Sequence, residues 1–145
     1  MITSRKPHHH FYGYCDKLLL AGAGISSLQV VLPATWTQGR QRGLTFEQMV
    51  RIWCVNPAEL AGMGDIKGQI AKGFDADFVI WDPDQKIVID DDFTQFQRHK
   101  NQTAYKGEKM MGGVRATFVR GQLVFADGKQ SATSCGSALL KGSHF

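Results

Sequence analysis

The chain has 145 residues, a net charge of +4, 43% apolar residues and 21% charged residues. This composition excludes wholesale disorder and a fibrous repeat, and no apolar run reaches the roughly 18–20 residues that span a bilayer. The length leaves room for one domain or a little more, but not for a complete eight-stranded α/β barrel, which takes about 250 residues.

Residues 1–16 show neither helical nor strand periodicity and read as a tail. Arg5 and Lys6 are followed by His8-His9-His10 rather than by a long apolar stretch, so a secretory layout is absent. Three adjacent imidazoles cannot all converge on one ion without unusual backbone, so a tail is expected here rather than a metal site. Cys15, Cys54 and Cys135 form no CxxC pair, and their odd number argues against a disulfide framework. A reducing intracellular compartment, cytoplasmic or similar, is therefore expected rather than secretion.

Residues 17–43 open with Leu18-Leu19-Leu20 and the small-residue turn Ala21-Gly22-Ala23-Gly24. Ser26 or Ser27 can then cap a helix through Leu28, Val31, Leu32 and Trp36, with Pro33 in its first turn or at a kink and Gly43 as its stop. The clearest helix covers 45–55. Thr45 and Gln48 have capping-box spacing, and Phe46, Met49, Val50 and Trp53 follow one apolar face, which predicts core. Cys54 in this stretch reads as a buried small side chain. Asn56-Pro57 predicts the end of that helix and the start of a short one that stops at Gly62.

Beyond Gly62 the pattern turns to strands. Phe78–Trp81 and Ile87–Ile89 are predicted strands about an Asp82-Pro83-Asp84 turn. Residues 90–113 are loop-rich. Val114–Val119 and Gln122–Phe125 form a predicted hairpin about Arg120-Gly121, followed by a turn at Asp127-Gly128. Residues 129–145 read as a tail. Residues 1–56 carry six basic and two acidic side chains, 57–97 three and nine, and 98–145 eight and two. No three Lys or Arg are consecutive, so the basic segments read as solvated surface rather than as a nucleic-acid site.

The residues offer three candidate sites. Gly22, Ala23 and Gly24 before a helix could present backbone N–H groups to an anion, or could simply be a helix-entry turn. Asp75 and Asp77 could pair as carboxylates, but a turn-and-cap role is the expectation. Arg98-His99-Lys100 could act as a base cluster, yet nothing nearby in sequence would orient it.

The stretch NPAELAGMGDIKGQIAKGFDADFVIWDP (56–83), followed by VRGQLVFADG (119–128), resembles the end of the cyclic amidohydrolases. AGISSLQVVLPATWTQGRQRGLTFEQMVRIWCVNPAELAGM (23–63) and DDDFTQFQRHKNQTAYKG (90–107) are similar to allantoinases, with Thr103-Ala104 standing where Ser-Pro is usual. The resemblance covers roughly residues 17–128.

That resemblance implies an α/β fold class: the C-terminal part of a metal-dependent-hydrolase (β/α)8 barrel, followed by strands of a small composite β-sandwich domain. Residues 17–63 would be the last barrel loop and closing helices. Residues 64–128 would be the sandwich portion with a loop insertion at 90–113, flanked by tails 1–16 and 129–145. It implies ring opening of allantoin to allantoate, a zinc or other divalent metal pair, and a homo-oligomer, a tetramer in the family. No nucleic-acid or membrane partner is implied. By motif position Gly22, Ala23 and Gly24 would face the substrate ring amide, where allantoinases carry Trp-Gly-Gly. The family's HxH motif, carboxylated lysine, further histidines and last-strand aspartate find no counterpart: His8 and His10 lie in the triple-His tail, and Asp16 sits too close to the glycine turn. The expectation is thus a fragment inactive alone, with exposed apolar surface. The alternatives are a non-catalytic dihydropyrimidinase-like scaffold or a decayed gene product.

Overall fold

The computed structural model describes residues 25–97 and 103–139. Three helical segments precede a four-stranded sheet. Helix α1 is Val31–Arg40, α2 is Phe46–Val50 and α3 is Asn56–Leu60, with a π-helical turn, Arg51–Val55, joining the last two. The strands are β1 (Phe78–Val88), β2 (Lys109–Val119), β3 (Gln122–Ala126) and β4 (Lys129–Gln130), in that spatial order and antiparallel throughout. Among the described residues no parallel βαβ unit is present; the helices come first and the antiparallel strands follow, in the order expected of closing helices and then sandwich strands. The last strands follow one another through two-residue turns, and such short connections force antiparallel pairing.

Both helix stops fall where glycine is expected, for one reason. Gly43 and Gly62 have φ of +83° and +67°. Leu44 N–H reaches Gly39 C=O at 2.9 Å and Met63 N–H reaches Ala58 C=O at 2.8 Å. These bonds close a Schellman motif at each end, which needs a left-handed residue that glycine adopts without penalty. The Thr45 capping box forms in both directions, Gln48 N–H to Thr45 Oγ1 at 3.2 Å and Thr45 N–H to Gln48 Oε1 at 2.9 Å. Glu47 in the first turn has its carboxyl held below the usual range by its own backbone N–H and the Thr45 hydroxyl.

Several expectations are overturned. Neither Ser26 nor Ser27 caps α1; its N-cap is Val30, with no side-chain cap, and Leu28 is 93% exposed. Asn56-Pro57 does not end the helix. Asn56 is helical (φ −60°, ψ −43°), and its N–H bonds the Arg51 carbonyl five residues back. That π-type shift accommodates Pro57, which has no N–H to offer the preceding turn. Asp82-Pro83-Asp84 is not a turn between two strands but a bulge inside one. Asp82 pairs with Gly113 and Lys86 with Met111, so three β1 residues lie opposite the single residue Gly112. The Asp82 carboxylate accepts from the N–H groups of Asp84 (3.0 Å) and Gln85 (3.1 Å), standing in for lost ladder bonds. β2 begins at Lys109, five residues before the strand expected from Val114. The Arg120-Gly121 hairpin and the Asp127-Gly128 turn form as expected, with φ of +52° and +76° and of +48° and +78°, as type I′ turns require; the second turn closes a hairpin with β4, Lys129–Gln130, where a tail was expected.

The core is small. Val30, Ile89 and Met110 are buried together, with Ala34, Ile87, Phe93 and Tyr105 packed around them. The α2 stripe does not join it as core: Met49 is 2% exposed, but Phe46, Val50 and Trp53 are 49%, 36% and 39% exposed. Cys54, expected to be buried, is exposed. A helix face is buried only where another element covers it, and among the described residues this one is covered in part, with Met49 buried and Phe46 against the Trp81 ring, while Val50 and Trp53 stay exposed.

Candidate functional site

The signature stretch 67–83 is organised around Lys67. Its ammonium lies 2.8 Å from Asp75 Oδ2 and also hydrogen-bonds Asp77 Oδ2. Asp77 Oδ1 accepts the Arg120 N–H at 2.7 Å, and the Gly121 N–H donates to Ala76 C=O at 2.9 Å. Three chain segments meet at this point: the turn after α3, the entry to β1 and the β2–β3 hairpin. Gly68 follows from the same packing. A Cβ there would stand 2.8 Å from Ala58 Cβ and 2.9 Å from the Cys54 carbonyl oxygen, and its φ is +92°. The bonds from Asp75, then Asp77, push the Lys67 ammonium pKa up, while Lys67 and then the Arg120 N–H hold the Asp77 carboxyl below the usual carboxylate range.

The cluster is therefore a structural clamp, one ammonium held between two carboxylates. It fits the turn-and-cap expectation for Asp75 and Asp77 and leaves neither as a free acid or base. Among the described residues no group of three or more His, Cys, Asp or Glu side chains could hold a metal ion. The residues described do not fit the metal pair that the resemblance implies, and no step through a metal follows from them.

Helix α1 is fastened to the sheet through side chains. Trp36 Nε1 donates to the Pro83 carbonyl in the β1 bulge at 2.9 Å. Thr37 Oγ1 accepts from Met111 N–H at 2.8 Å, and Arg40 Nη1 reaches Asp84 Oδ1 at 2.7 Å. Trp81 meets Trp36 edge-on at 5.5 Å and stacks on Phe46 at 5.9 Å. The turn before α1 is held by Gln29, whose Nε2 donates to Thr94 C=O at 2.7 Å and whose Oε1 accepts Phe96 N–H at 3.0 Å. An apolar groove of about 1010 Å³ runs along the sheet beside this turn, lined among others by Leu28, Phe93, Val119 and Phe125.

Gly22, Ala23 and Gly24 lie outside the described residues, as do His8–His10, Cys15, Asp16 and Arg98-His99-Lys100. Cys135 has its Sγ 3.7 Å from the Val119 carbonyl. Sequence reading missed Lys67 and Gln29. The alternating Asp75 and Asp77, eight and ten residues after a lysine, are the one signal for the first. Gln29 leaves no signal, because its partners lie 65 and 67 residues away.

Residues 29–125 match the model of the family described as "Amidohydrolase family". The chain is 43% identical over 122 residues to the allantoinase of Arabidopsis thaliana and 41% identical over 122 residues to a probable allantoinase of Oryza sativa subsp. japonica. Each match covers 84% of this chain and 24% of the relative, so the chain spans about a quarter of these relatives' length. It is 31% identical over 105 residues to a D-hydantoinase of Ralstonia pickettii, covering 72% of this chain and 22% of that relative. Among solved structures, the L-hydantoinase (dihydropyrimidinase) from Arthrobacter aurescens superimposes with a TM-score of 0.67 at 32% identity, covering 77% of this chain and 25% of that one.

Proposed function

The chain belongs to the amidohydrolase family, and on that premise we propose that it is the C-terminal portion of an allantoinase, which hydrolyses the ring amide of allantoin to give allantoate. One observation carries this reading: the 43% and 41% identity to the two plant allantoinases over 84% of the chain, against 31% to the Ralstonia D-hydantoinase.

In this reading residues 17–63 are the last loop and closing helices of a metal-dependent-hydrolase barrel. Residues 64–128 are strands of a composite β-sandwich with the loop insertion 90–113. The exposed Phe46, Val50 and Trp53 face supports the assignment, since a closing helix needs an apolar side to lay against barrel strands. The apolar groove supports it too, since a sandwich needs a second sheet over the first. Gly22, Ala23 and Gly24 present backbone groups to the ring amide. A zinc or other divalent pair is held by residues other than those described, and the protein is a cytoplasmic homo-oligomer. The clamp at Lys67 and the α1 fastenings do no chemistry themselves; they fix the sheet and helix on which the substrate loop ends.

The test is the intact mass of the native protein from its source, with an assay of allantoin conversion to allantoate before and after chelation. A product of the relatives' length with chelator-sensitive turnover is expected. A 145-residue product without turnover refutes the reading and leaves a scaffold or an inactive descendant.

A further inference from the structure

We draw no further inference here: the strongest candidate, the apolar groove along the sheet, where the buried Gln85 Oε1 has no hydrogen-bond partner among the described residues, belongs to the sandwich face already assigned, and nothing in the structure shows what covers it.

Discussion

Replacing Lys67 by Met removes the cation from the clamp and leaves the carboxylates of Asp75 and Asp77 facing each other. The lost contacts are hydrogen bonds to charged groups, each about 1.5–3 kcal/mol in net terms. The side chains of Lys67, Asp75 and Asp77 are 22%, 35% and 32% exposed, so screening reduces the sum to about 1–2 kcal/mol. For a chain of this size that lowers the melting temperature by roughly 3–6 °C. The pH dependence follows from the shifts. Asp77 has a folded pKa below its ordinary 3.8, so its contribution is present above 3.8 and is lost as pH falls through the lowered value. Lys67 has a folded pKa above its ordinary 10.5, so its contribution is present below 10.5 and is lost as pH rises through the raised value. The gap between wild type and Lys67→Met should therefore be flat near neutrality and close at both extremes. Thermal midpoints at neutral and strongly acidic pH measure the gap, and exchange of the Arg120 amide reports the loosened hairpin. Equal midpoints at neutral pH, or a gap undiminished in acid, would refute the clamp as described.

Gly68→Ala should cost more than Gly43→Ala in chemical denaturation. Both sites have positive φ, about 1 kcal/mol against a side chain, but only at Gly68 does the added Cβ collide with backbone and Ala58, while Gly43 faces open space; equal losses would show that the packing is misjudged. Thr45→Ala should destabilise by about 1 kcal/mol through loss of the capping box, read as a lower unfolding midpoint. Trp36→Phe keeps the ring contact with Trp81 but loses the bond to Pro83, for a loss of about 1 kcal/mol, and a neutral result would remove that bond from the account of how α1 is held. The 145-residue chain by itself should bind a hydrophobic dye and self-associate in analytical ultracentrifugation, since Phe46, Val50, Trp53, Val79 and Ile80 are exposed and β1 is an edge strand among the described residues. A monodisperse monomer that unfolds cooperatively would contradict this.

The elements that were legible in the sequence are those set by contacts within a few residues. The capping box at Thr45, the left-handed stops at Gly43 and Gly62, and the Arg120-Gly121 and Asp127-Gly128 turns each need only neighbouring backbone and one residue type. Family membership was legible as well, because it rests on local words such as KGQIAKGFDADFVIWDP. Tertiary structure decided the rest. Asp82-Pro83-Asp84 has turn chemistry, but β2 continues past it and draws both halves into one strand, so the turn becomes a bulge. Asn56-Pro57 has helix-breaking chemistry, but one wider turn lets the helix run on. The apolar stripe at Phe46, Val50 and Trp53 reads as core by its period, yet burial depends on what lies opposite, which periodicity does not encode. Gln29 and Lys67 take their roles from partners brought together only by folding, at separations of 65 and 67 residues for Gln29 and 10 for the Lys67–Asp77 pair.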